Sequence, residues 1–228
     1  MNIISLIDSY SDQRGNRIEY RGAPISGPQV HFRGKNNKLS LDSSVRLTAD
    51  TVFRFDCNNA TIRIGRGLHG FAGFLRVGED SSILIGDHVT TTSRVIIGSV
   101  EGSTVLIGDD CMISGDVQIR SDDEHPIFDV ESGARINLSK SVHIGNHVWL
   151  GWGARVLGGS SIGDGSVVGF SSIVAGSFPN NCIVAGVPAR LKRMNVAWER
   201  DHLTLKEPFY KPDASSISKS GYWNTTKA

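Results

Sequence analysis

From Ile144 the chain repeats every six residues: IGNHVW, LGWGAR, VLGGSS, IGDGSV, VGFSSI, VAGSFP. Ile144, Leu150, Val156, Ile162, Val168 and Val174 hold one place in this meter. Gly145, Gly151, Gly163 and Gly169 follow them, and Ala154, Ser160, Ser166 and Ser172 fill a small-residue place. A period of six fits neither the α-helix nor the alternating pleat of a flat strand. Repetition at a short fixed period defines a β-solenoid, in which each turn buries its apolar residues against its neighbours. Each hexad then supplies one short strand, an inward apolar side chain, and a corner where glycine or a small residue lets the backbone turn.

The same meter runs upstream through Leu41, Leu47 and Phe53, through Ile85, Thr91 and Ile97, and through Ile107, Ile113 and Ile119. Four extra residues in SVEGST shift its phase after Ile97. After Ile119 the stretch SDDEHPIFDVESGARIN has no repeat character. Insertions in solenoids become surface loops, often on the binding face, so a protruding loop is expected near 120–137. Residues 1–38 read as a polar lead-in in which Pro24 and Pro28 prevent a long helix. Residues 39–187 read as the solenoid and 188–228 as a non-repetitive extension. Within that extension VAWERDHLTLK predicts a short helix, and Trp198, Tyr210, Tyr222 and Trp223 predict packing back on the prism or on a neighbouring subunit.

Composition narrows the function classes. The 26 glycines fall largely at repeat spacing and mean corners. A net charge of +1 gives no electrostatic case for nucleic acid or for an acidic membrane surface. The N-terminal MNIISLIDSYSDQ lacks a basic segment, Asp8 interrupts its apolar run, and no stretch has the length of a membrane span, so no membrane insertion is expected. Cys57, Cys111 and Cys182 lack CxxC spacing and are expected to be reduced and structural, as in a cytoplasmic protein, with Cys111 at an inward position.

The hexads from Ile144 through GVPARLKR, the upstream EHPIFD, and the 24-residue step from His125 to Trp149 together resemble the hexapeptide-repeat acyltransferases. The resemblance covers roughly residues 80–195 and is nearest to sugar O-acetyltransferases acting on capsular, lipopolysaccharide or polysialic chains, alongside the galactoside and maltose acetyltransferases. It implies an all-β, left-handed parallel β-helix, assembly as a homotrimer, acetyl-CoA as donor, a sugar or glycan acceptor, and no metal.

Acyl transfer to a hydroxyl needs a base, and histidine has the side chain best matched to that task near neutral pH. His125, in the acidic SDDEHPIF, falls at the family's catalytic histidine; the alternative is an ordinary surface-loop residue. A carboxylate should orient its imidazole, and Asp123 matches the pattern better than Asp122 or Glu124. Trp149 alternates with inward Val148 and Leu150, so its indole faces outward, toward a site or toward an interface. By resemblance, the Trp152 backbone N–H is the oxyanion donor, and Gly169 and Phe170 offer backbone contacts to the pantetheine arm. Arg190, Lys192 and Arg193 would bind the coenzyme phosphates, where guanidinium groups grip bidentately; the alternative is a generic basic patch.

Three other readings remain at this stage. His143 and His147 could hold zinc with His69, His88 or His125, as in γ-class carbonic anhydrases, although their step of four differs from that pattern. The acceptor could be the amine of an amino sugar, served by the same donor site. A noncatalytic solenoid is the third. Arg94 and Gly102 align where galactoside and maltose enzymes carry Asn and Asp, so a simple galactoside or maltose acceptor is not expected.

Overall fold

A computed structural model describes residues 2–67, 69–203 and 213–225. The chain winds into a three-sided prism whose faces are sheets of eight, nine and six strands. The first sheet runs from Asn2–Ile7 through Val95–Ser99 and Gln118–Arg120 to Ile173–Val174. The second runs from Tyr10–Ser11 to Ser177–Phe178, and the third from Thr90–Thr91 to Ala189–Met194. Ile144 pairs with Ile162, Leu150 with Val168, and Val156 with Val174, so three hexads close one turn. Because the register is parallel, like residues stack on like. All six of these side chains are at most 1% exposed.

Each corner repeats as faithfully as each face. Where the second sheet turns into the third, an acid or amide accepts the backbone N–H of its counterpart one coil earlier. The bonds run from Asp87 N–H to Asp109 Oδ1 (2.7 Å), Asp109 to Asn146 (2.8 Å), Asn146 to Asp164 (2.7 Å) and Asp164 to Asn180 (3.0 Å). The following residue turns left-handed at His88, Asp110, His147, Gly165 and Asn181. Gly108 is needed for close approach, since a Cβ there would lie 2.7 Å from the Gly145 carbonyl carbon.

Residues of the expected lead-in already supply rungs. Arg17–Glu19 pairs parallel with Lys38–Leu41, and Ile25–Phe32 with Val52–Phe55. Here Phe32, Phe53, Phe55 and Phe71 are among the largest fully buried side chains, filling the end of the prism that the glycine-rich hexads do not form. Asn2–Ile7 covers Ile25–Phe32 antiparallel, and Ala189–Met194 folds back antiparallel on Cys182–Gly186. Two strand edges that would template aggregation are thereby covered. Cys57, Cys111 and Cys182 are free thiols; Cys111 is fully buried, and burial pushes its thiol up to about 12.

The extension past Met194 does not form the short helix expected from VAWERDHLTLK in its described part, 196–203. Tertiary contacts override the local propensity. His147, 2% exposed, lies between Trp198 (ring centroids 4.0 Å) and Tyr222 (4.6 Å), both stacked on it. The Trp198 indole donates to the His147 carbonyl (2.9 Å), and Asn181 Nδ2 donates to the carbonyls of Val196 (3.0 Å) and Tyr222 (2.7 Å). The aromatic extension thus packs back on its own prism; Tyr210 lies outside the described residues.

Candidate active site

Residues 121–141 leave the corner between the first and second sheets, and Lys140 N–H closes the root of this loop on the Ser121 carbonyl (2.9 Å). Beyond the root, Ile136 N–H bonds the Ile127 carbonyl (2.9 Å) and Phe128 bridges Arg135 antiparallel. Asn137 fastens the histidine to this frame. Its Nδ2 donates to the His125 carbonyl (2.8 Å) and to Asp123 Oδ2 (3.2 Å), and its Oδ1 accepts the Ile127 N–H (2.7 Å). Arg135 grips Glu101 at 2.7 and 3.1 Å, and Ser139 Oγ adds a third bond to Glu101. The Arg135 guanidinium, with Ser139, holds the Glu101 carboxyl at about 2.

The His125 side chain is exposed and, among the described residues, its imidazole has no hydrogen-bond partner. Of the three neighbouring acids, Glu124 pairs with Arg120 (2.5 Å) and Arg76 (3.5 Å), and Asp122 pairs with Arg120 (3.9 Å). Asp123 alone has no ion pair among the described residues. Its carbonyl accepts the His125 N–H (2.8 Å) and its carboxylate is joined to the His125 carbonyl through Asn137, but it makes no hydrogen bond to the ring. Sequence reasoning singled out Asp123 as a candidate and passed over Asn137, Arg135 and Glu101. The charge complementarity of Arg135 and Glu101 is visible in the chain, but a separation of 34 residues across a phase break hides their meeting.

The remaining candidates gather elsewhere on the prism. Trp149 stands outward on the third sheet between Met112 and Val167, 37% exposed, with its Nε1 donating to Ser114 Oγ (3.3 Å). Its ring meets Trp198 at 5.9 Å. Trp152 occupies the corner between the third and first sheets and stacks on Phe170 (5.2 Å). Among the described residues the backbone N–H groups of Trp152 and Phe170 have no acceptor, whereas Gly169 commits its N–H to the Val184 carbonyl (2.8 Å) and keeps its own carbonyl open. Arg190, Lys192 and Arg193 lie exposed on Ala189–Met194 and make no ion pair among the described residues. The candidates therefore form two groups in one chain, the His125 loop at one corner and the tryptophan edge at another.

The histidine pair raised for zinc is not assembled. His147 has both ring nitrogens committed, Nδ1 to Asp110 Oδ2 (2.6 Å) and Nε2 to the Trp198 carbonyl (2.9 Å), while His143 faces solvent. Arg200 completes this cluster, bonding Asp110 Oδ1 (3.0 Å) and Thr90 Oγ1 (2.8 Å). Arg94 lies over the Phe74 ring and Gly102 forms a left-handed turn.

A stacked coil of hexads carrying an inserted histidine loop and an outward tryptophan edge defines the hexapeptide-repeat acyltransferase class. No family model matches the sequence. The Escherichia coli K12 protein named "Putative lipopolysaccharide biosynthesis O-acetyl transferase WbbJ" is 35% identical over 166 residues, covering 65% of this chain and 83% of its own. A polysialic acid O-acetyltransferase of Escherichia coli O1:K1 / APEC is 37% identical over 139 residues, covering 56% of this chain. That match spans 45% of the relative's length. The solved structure of the polySia-specific acetyltransferase NeuO superposes with a TM-score of 0.59 at 30% identity, over 82% of this chain and 90% of that one. The chain belongs to the hexapeptide-repeat sugar O-acetyltransferases, and its fold is their left-handed parallel β-helix. No helix among the described residues is long and apolar enough to cross a membrane.

Proposed function

We propose that this chain transfers the acetyl group of acetyl-CoA to a hydroxyl of a bacterial surface-polysaccharide sugar, in the cytoplasm, as a homotrimer. The observation that carries the reading is the His125 imidazole: exposed and without a hydrogen-bond partner among the described residues, on a backbone fastened by Asn137. Such a ring can take the proton of the attacking hydroxyl as its oxygen bonds to the thioester carbonyl. The Trp152 N–H is the donor for the oxyanion that forms. Such a donor supplies roughly 2.7–4 kcal/mol in a transition state. Collapse breaks the C–S bond, and the imidazolium returns its proton to the leaving thiolate. No serine or cysteine nucleophile is required, so transfer is direct.

The donor's arm is extended and amide-bearing, like an added strand. The open Phe170 N–H and the Gly169 carbonyl, one coil beyond Trp152 on the same edge, suit it. Arg190, Lys192 and Arg193 then meet the coenzyme phosphates at the end of that edge. The trimer follows from the separation of the two groups: the loop of one subunit completes the tryptophan edge of the next.

The test is acetyl-CoA turnover against a panel of surface oligosaccharides in the presence of EDTA. His125→Ala is expected to lower kcat by at least about 10²-fold with coenzyme affinity retained. A folded His125→Ala enzyme with near-normal kcat removes the proposed base.

A further inference from the structure

The residue before His125 carries a strained backbone. Glu124 has φ +66°, in the left-handed region that a residue with a side chain enters only at a cost. The His125 N–H donates to the Asp123 carbonyl (2.8 Å), so the chain closes over three residues with Glu124 at the centre. Such a bond across a positive φ is the rare, strained form of the three-residue turn. The Glu124 N–H donates to Asp122 Oδ2 (3.0 Å), and Pro126 narrows the backbone choices of His125 from the other side. A strained turn persists only where its surroundings over-determine it.

The first sheet supplies that support. Strand register places Arg54, Arg76, Gly98 and Arg120 on successive rungs. Arg76 and Arg120 are therefore two rungs apart, about 10 Å, and Gly98 puts no side chain between them. Both guanidiniums converge on one carboxylate oxygen. Glu124 Oε1 lies 2.5 Å from Arg120 Nη2 and 3.5 Å from Arg76 Nη1. Arg76 is itself fixed from beneath: its Nε donates to Asp56 (2.6 Å), which is 12% exposed and also accepts Arg54 Nε (2.7 Å). The Arg120 hydrogen bond, with Arg76 adding its charge, holds the Glu124 carboxyl below the usual carboxylate range. The pair therefore stays formed at the neutral pH where a histidine base works.

The column is a frame for the loop. Arg54, Arg76 and Arg120 are balanced by Asp56, Glu124 and Asp122, the last 3.9 Å from Arg120. A path of bonds runs from Asp56 on the prism through Arg76 to the residue preceding His125. Asn137 holds the histidine's carbonyl from the opposite side.

We propose that Glu124 is a positioning residue: gripped by Arg120 and Arg76, it holds the strained turn that aims the His125 imidazole at the attacking hydroxyl. This deepens the acetyl transfer proposed above and rests on His125 as its base. The competing reading is an ordinary exposed ion pair, which would contribute little to stability and nothing to rate.

The test is steady-state kinetics on the full chain, with acetyl-CoA and a panel of capsular and O-antigen oligosaccharides as acceptors. Glu124→Gln is expected to lower kcat about ten- to a hundredfold, as for a misplaced reacting group. KM for acetyl-CoA and the melting temperature should stay nearly unchanged, while amide exchange over 121–127 quickens. Arg120→Gln should act alike, and the double variant should be no worse than either single one, since the two groups work as a unit. Glu124→Gly accepts the positive φ freely but lacks the grip, so it should not restore kcat. In a His125→Ala background, Glu124→Gln should cause no further loss. Near-normal kcat in Glu124→Gln or Glu124→Gly, beside a His125→Ala variant that has lost it, overturns this proposal and leaves the base in place. So does a loss that persists in the His125→Ala background, or one without quickened exchange. Near-normal kcat in His125→Ala removes the base, and this proposal with it.

Discussion

Asn137 holds the carbonyl of His125, the carboxylate of Asp123 and the N–H of Ile127 with one side chain. Among the described residues the imidazole itself has no hydrogen-bond partner, so its position depends on its backbone. Misplacing a reacting group by about 1 Å costs on the order of 10²-fold in rate. Asn137→Ala is therefore expected to lower kcat about ten- to a hundredfold, with KM for acetyl-CoA and the melting temperature nearly unchanged because the residue lies on an exposed loop. Steady-state kinetics beside a thermal scan check this; unchanged kcat would show that the loop is held by its ion pairs instead. His125 could be singled out as the candidate base because the chemistry needs a base and the repeat breaks around it. Asn137 was not: an asparagine outside any period looks like any other loop residue, and its three partners become visible only when the loop is folded.

At the scale of elements, the hexads predicted strand, corner and inward residue because parallel register makes each rung repeat the one before. The extension obeyed no period, and there the prediction of a helix failed. What decides its path is His147, whose ring lies between Trp198 and Tyr222 and whose Nδ1 meets Asp110. Trp198 is 8% exposed, and truncating a buried tryptophan costs roughly 3–5 kcal/mol. Trp198→Ala should therefore release the extension, seen as faster amide exchange over 195–203 while the strands of the prism stay protected. Trp198→Phe keeps a stacked ring and should retain much of that protection. Since Trp198 also touches Trp149 at 5.9 Å, the alanine variant should raise KM more than it lowers kcat. Uniformly increased exchange across the prism would instead mean that the extension is part of the global folding unit.

The whole molecule poses the question that one chain cannot answer alone. Its histidine loop leaves one corner of the prism, while Trp149, Trp152 and Phe170 occupy a face and a different corner. Exposed Ile96, Trp152, Leu157 and Phe170 add apolar area that a lone prism would leave in water. The proposed cyclic trimer would resolve both facts by placing the loop of each subunit against the tryptophan edge of its neighbour. That arrangement makes subunits complement one another. His125→Ala and Trp149→Ala homotrimers should each be nearly inactive, because every site lacks one group. In trimers formed by refolding the two variants together in equal amounts, a site is intact when its histidine and its tryptophan come from the right variants. Random assembly makes that about one site in four. Turnover should therefore return to about a quarter of the wild-type value. Mixed trimers verified by native mass spectrometry but without restored turnover would place the complete site within a single chain, and the geometry of the loop would then have to change on binding to reach its own tryptophan edge.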